Sequence, residues 1–323
     1  MALTLSCAFA TSLDTPEHTR IAESHGYQRA WFYDSAPLYP DVWVQLCRAA
    51  DRTERIGLAT GVLVPNLRHP MTNAAGIATL VDAAGVERVT IGIGSGFTAC
   101  LTMGRRPLKW TFVDHYIGTL RALLRGEEVE WEGGMIQMMH WAGYGAPRPI
   151  EVPFVIAAAG PKGIACAKSH SAGVLGAFEA IPGFDWSVVL TMGTVLDDGE
   201  AASSNRAVDA AGHAGAVLLH YMHEHRMLDQ IDGAQAWLDS YAAVPEKIRH
   251  IAMHDGHLVG LNERDRPYVT GDFLASNGLA MDRGAWRERL AAMAEGGATE
   301  IAYQPAGPDI PRELEAFAAM FQA

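Results

Sequence analysis

Short, nearly continuous apolar runs alternate along this chain with longer segments in which apolar residues recur at helical spacing. Residues 3–9 read as a buried strand. Thr15 then offers an N-cap, Pro16 takes the first helical position, and the helix continues to a stop at Gly26. Residues 29–34 form a second strand, and the helix over 42–52 carries Val42, Leu46, Ala49 and Ala50 on one face. A third strand over 56–64 leads to a helix over 70–83, and a fourth strand spans 86–93. After a helix over 108–124, residues 155–159 form an apolar strand that runs through Gly160 and Pro161 into another helix. Near the end, a strand over 299–303 precedes a helix over 311–321 whose Leu314, Phe317, Ala318 and Phe321 share a face.

This beat predicts parallel strands joined by helical crossovers, as in a doubly wound sheet or a closed eightfold barrel. The late strand-helix unit favours the TIM (β/α)8 barrel, in which the chain closes on its own first strand. Two stretches interrupt the pattern. Residues 128–138 alternate about Gly133 and Gly134, predicting an inserted hairpin near 127–140. The region near 182–298 is less regular, with a strand over 186–196 and helical segments near 201–211 and 234–241. No Pro/Gly/Ser-rich linker and no repeat divides the chain, so residues 1–323 are expected to form a single α/β domain.

Composition narrows the ligand. With 323 residues, 49% of them hydrophobic, the chain can bury a large core. A net charge of -12 argues against nucleic acid or an anionic membrane, which select basic patches. A small-molecule substrate is the expectation. Cys7, Cys47, Cys100 and Cys166 show no C-x-x-C spacing, and no apolar run approaches the ~18 residues of a membrane span, so a cytoplasmic protein is expected.

The junction Gly160-Pro161-Lys162-Gly163-Ile164 is the clearest chemical signal. Pro161 loses nothing at the first helical position, and the free N–H groups from Lys162 onward can converge on a phosphate or carboxylate. The same residues also suit a plain strand-to-helix turn. Gly92, Gly94 and Gly96 lack the spacing of a dinucleotide fingerprint. His213, His220, His223 and His225 lack the histidine spacing of a helical zinc site, so they read as a polar helix face and no metal is expected.

Trp31-Phe32-Tyr33-Asp34, Thr60-Gly61-Val62, Arg68-His69-Pro70, Ala78-Thr79-Leu80, Ile91-Gly92-Ile93-Gly94-Ser95-Gly96 and Ala159-Gly160-Pro161-Lys162 occur in an order that resembles the bacterial luciferase-like superfamily. The resemblance is to its branch using the deazaflavin coenzyme F420, especially methylenetetrahydromethanopterin reductase-type proteins. It implies a TIM barrel with an insertion, the cofactor at the C-terminal strand ends, and pairing into a homodimer through helices beside the second strand. Carried over by position, Asp34 is the acidic residue near the reactive ring. Gly61 and Val62 stand where relatives carry a non-proline cis peptide backing that ring, with Val64 beyond it. Ser95 and Gly96 belong to a cofactor-contacting loop, and Gly160, Pro161, Lys162, Gly163 and Ile164 to the phosphate turn.

The chain also departs from these relatives. Phe97 stands where several carry a proton-handling carboxylate, Ser35 where others have a catalytic histidine, and Ser6 and Cys7 where the pterin reductases have acidic residues. Asp34, His69 and His115 remain for proton work, although His69 also suits a helix cap. Arg68 suits a carboxylate of the coenzyme tail or, preferably, a solvent-facing position. The implied activity is hydride transfer between F420 and a small organic substrate. The alternatives are an FMN-dependent luciferase-like monooxygenase and a non-catalytic cofactor-binding barrel.

Overall fold

The computed structural model describes residues 3–323. Eight parallel strands close into a barrel: β1 (Thr4–Phe9), β2 (Arg29–Phe32), β3 (Gly57–Leu63), β4 (Val89–Gly94), β5 (Phe154–Ala157), β6 (Gly173–Ala177), β7 (Ser187–Met192) and β8 (Glu300–Gln304). Each pairs with its sequence neighbour, and β1 closes on β8 through Thr4 opposite Glu300 and Cys7 opposite Tyr303. This is the TIM barrel that the sequence pattern favours.

Alternation along the strands produces two cores. Outward residues such as Leu5, Cys7, Phe32 and Ile91 pack against the helices, while Ala8, Trp31, Ala59, Val155 and Ala302 fill the barrel interior. The closed N-terminal end is ionic. Glu300, 2% exposed, accepts from Trp31 Nε1 (3.0 Å), Trp186 Nε1 (2.9 Å) and Arg29 Nη1, so its charge is buried with its partners supplied.

Local chemistry sets the helix starts. Asp41 Oδ1 accepts from the Trp43 and Val44 amides at the head of helix Val42–Ala50. Thr15 is not the cap predicted for the first helix. It is the first residue of Thr15–Ser24, after Asp14, and its Oγ1 accepts from the Ser12 amide at 2.7 Å.

The interrupted stretches resolve as follows. Val129–Trp131 and Gly134–Ile136 form the hairpin, but its turn residues are Glu132 and Gly133, both at positive φ, with Gly134 already on the return strand. The strand predicted over 186–196 breaks at Gly193 (φ 129°). Beyond it, Thr194–Val195 leave the barrel and pair with Ala280–Met281. Between β7 and β8 lie helices Asn205–Glu224, Ala234–Ser240, Glu246–Met253, Gly271–Ser276 and Arg283–Glu295. Much of this insertion packs on its own cluster around Leu219, Trp237, Tyr241 and Leu274.

Candidate functional site

Five strand ends and the insertion enclose a cavity of about 230 Å³ at the C-terminal mouth of the barrel. Asp34, Gly61, Val62, Val64, Ser95 and Gly96 all line it. Tyr33, Ser35, Tyr39, Phe97, Ala157, Leu190 and Leu258 complete much of the wall.

The wall formed by β3 and β4 follows from small residues. The Gly61–Val62 peptide is cis, and the β3–β4 register shifts between Thr60 and Leu63. This bulge lies directly against the β4 glycines. A Cβ on Gly94 would come within 3.0 Å of Val62 Cγ2, and one on Gly92 would overlap the Thr60 carbonyl. Gly96, at φ 74°, has no room for a Cβ beside Val64. The three glycines thus let the bulged strand lie flush on β4 and present its backbone to the cavity.

Asp34, 3% exposed, is the cavity's carboxylate. Both its oxygens accept from Arg68 Nη1 at 2.8 Å, and Oδ2 also accepts from the Val64 amide at 3.3 Å. Burial pushes the Asp34 pKa above its usual value, and Arg68 and the Val64 amide partly pull it back. Arg68 also donates from Nη2 to Asp41 at 2.8 Å. It therefore neither faces solvent, as preferred from sequence, nor stands free for a coenzyme tail. Burial raises the pKa of Tyr33 and Tyr39, keeping both hydroxyls protonated. Tyr33 donates to Gln304 Oε1 (3.1 Å) and Tyr39 to the His257 carbonyl (2.8 Å). Gln304 Nε2 donates in turn to the Leu258 carbonyl (2.8 Å), so these bonds hold the insertion over the cavity.

His69 lies outside the cavity lining and is exposed. Its Nδ1 accepts from the Met71 amide at 3.1 Å, capping helix Pro70–Ala84, which is the structural alternative in the sequence. His115 is also exposed, its ring stacked on Trp131 at 5.2 Å.

Gly160, Pro161, Lys162, Gly163 and Ile164 follow β5, whose last residue, Ala157, lines the cavity. The Ile164 amide closes the first turn of helix Pro161–His170 on the Gly160 carbonyl (3.0 Å), leaving the Lys162 and Gly163 amides at the open helix end. Gly163 has a packing role as well, since a Cβ there would lie 2.6 Å from Trp110 Cζ2. The Lys162 side chain faces a different groove, shared with Lys109, Trp110 and Asp114.

Sequence reasoning missed Tyr39, Leu190 and Leu258 as cavity residues. Tyr39 sits beyond the second strand, and Leu258 arrives from over two hundred residues away, so neither belongs to a local motif. The polar-face reading of the histidines fails for His213 and His220, which are 0% and 6% exposed. The insertion covers that face of helix Asn205–Glu224.

Fold and cavity define a (β/α)8 barrel with a small-molecule-sized site on a bulged third strand. The chain belongs to the luciferase-like monooxygenase family, whose profile matches residues 11–186. It is 31% identical over 172 residues to the 5,10-methylenetetrahydromethanopterin reductase of Methanolobus tindarius, covering 50% of this chain and 49% of that protein. Identity to the F420-dependent glucose-6-phosphate dehydrogenase of Beutenbergia cavernae is 32% over 165 residues, covering 46% and 47%. The matched stretch thus spans about half the length of these relatives. The fold also resembles the coenzyme F420-dependent tetrahydromethanopterin reductase of Methanopyrus kandleri, with a TM-score of 0.66, 17% identity and 98% of each chain covered.

Proposed function

We propose that the protein is an oxidoreductase that binds coenzyme F420 at the barrel mouth and moves a hydride between it and a small organic substrate. The observation carrying this reading is the bulge at Gly61 and Val62, which lies against Gly92, Gly94 and Gly96 and shares its cavity with Asp34. Such a wall fits a flat ring system, because backbone and small side chains leave a face free of projecting groups. The named dependence of the Beutenbergia cavernae relative supports F420 over FMN.

In this reading the bulge backs the ring, while the Lys162 and Gly163 amides hold the phosphate at the helix end. A bound deazaflavin supplies a ring carbon that gives or accepts hydride. The chain supplies orientation and proton handling. Phe97, Leu190 and Leu258 present an apolar wall to the substrate. Phe97 offers no proton, and the two tyrosine hydroxyls are engaged. The Asp34 carboxyl, its pKa raised by burial although both oxygens accept from Arg68, is the cavity acid assigned to proton exchange.

Anaerobic titration with F420 and with FMN, followed by absorbance and fluorescence, tests the cofactor. Saturable F420 binding is expected, and tight FMN binding without F420 binding would overturn it. Turnover is then read as oxidation of reduced F420 against a panel of enones, ketones, imines and nitroaromatics. F420 that binds but stays reduced with every member would favour the non-catalytic barrel.

A further inference from the structure

The insertion between β7 and β8 contains a second cluster of chemically capable side chains. His220 from helix Asn205–Glu224, His254 at the C-terminal cap of Glu246–Met253, and His257 from the following loop are all buried. One ring nitrogen of each lies within 4.8 Å of the others, and the ring centroids are 5.1 to 5.6 Å apart. Among the described residues, neither nitrogen of His220 has a hydrogen-bond partner, nor does Nδ1 of His257. Unpartnered buried nitrogens on converging imidazoles suit a bound ion.

We infer that His220, His254 and His257 bind one zinc ion, which fixes two helices and a loop of the insertion to one another, including the loop whose Leu258 lines the active-site cavity. Zinc takes neutral imidazole at about 2.0–2.1 Å, and a tetrahedral arrangement places its donors about 3.4 Å apart. The three nitrogens, within 4.8 Å of one another, therefore need to close by at most about 1.4 Å. Water takes the fourth position.

The surroundings match those of metal-bound histidines, whose second nitrogen is held by a carbonyl or carboxylate. His254 Nδ1 lies 2.7 Å from the His250 carbonyl, so it donates there and leaves Nε2 for the ion. His220 Nε2 lies 3.6 Å from Asp265 Oδ2, close enough for charge attraction though not for a hydrogen bond, which leaves Nδ1 for the ion. Asp265 is itself fixed by Trp237 Nε1 (2.7 Å), the Tyr241 hydroxyl (2.8 Å) and Asn262 Nδ2 (2.8 Å). The His257 carbonyl holds Tyr39, and the adjacent Leu258 lines the cavity, so the ion would anchor the loop that completes the wall.

The test uses the full chain without a polyhistidine tag, stripped with a chelator and titrated with Co(II) chloride. We expect one Co(II) per chain with the intense visible d–d absorption of a four-coordinate site of three nitrogens and one water, abolished by Zn(II). Zn(II) should also raise Tm by a few degrees. His257→Gln and His220→Gln should each lose the band and at least tenfold in zinc affinity, while His115→Gln, at an exposed ring, should keep both. A weak six-coordinate spectrum with no Tm shift in the wild type would overturn the site even if the variants failed to fold. Undiminished binding in a folded His257→Gln protein would do the same. None of these readouts requires F420.

Discussion

At the scale of single residues, the site depends on how one buried charge is compensated. Arg68 holds Asp34 and Asp41 together, making an aspartate from β2's end part of a fixed pair. Replacing Asp34 by Asn removes the charge but leaves Arg68 its bond to Asp41. The expected cost is about 1–3 kcal/mol of stability, read by urea denaturation. In a working hydride-transfer assay, Asp34→Asn should also lose the pH limb that lies above the ordinary carboxylate range. A variant with an unchanged pH profile would remove Asp34 from the proton step.

At the scale of elements, close backbone approach accounts for several glycines independently of any chemistry assigned to them. Gly92, Gly94 and Gly96 clear space for the β3 bulge, and Gly163 lets helix Pro161–His170 lie against Trp110. Gly163→Ala should displace Trp110 and destabilise the fold by about 1–3 kcal/mol. It should also weaken binding of an anionic coenzyme, because the displaced turn carries the Lys162 and Gly163 amides. Comparing Tm and coenzyme Kd for this variant tests both effects; unchanged values would show that the contact yields without moving the turn.

At the scale of the whole molecule, the insertion is tied to the barrel by an ionic knot. Arg206, near the start of helix Asn205–Glu224, bonds Glu200, Thr194 and Glu313, and Glu313 belongs to the last helix, Ile310–Gln322. Hydrogen bonds from Arg206 hold the Glu200 pKa down to about 2, against an ordinary 4.5. The folded state therefore binds this proton less readily than the unfolded chain. The resulting stability is complete above about pH 4.5 and is lost as pH falls toward 2. Tm should accordingly fall less steeply across that window in Glu200→Gln than in the wild type. Parallel slopes would show that the knot does not contribute through Glu200.

Periodicity was enough to determine the alternating strands and helices, because burying one face of an element leaves a mark every two or three to four residues. The strand ends where Asp34, Gly61, Val62, Ser95 and Gly96 gather were marked instead by local motifs that resemble those of the luciferase-like superfamily. Strand β6 left no such mark. Its sequence, Gly173-Val174-Leu175-Gly176-Ala177, contains two glycines required by contacts with Trp186 and Glu179, and contacts of that kind have no period. Only the tertiary structure decided that Arg68 turns inward, that Leu258 closes the cavity and that His220 meets His254 and His257. Each depends on residues far apart in the chain, whose meeting is set by closure of the barrel and packing of the insertion rather than by any local preference.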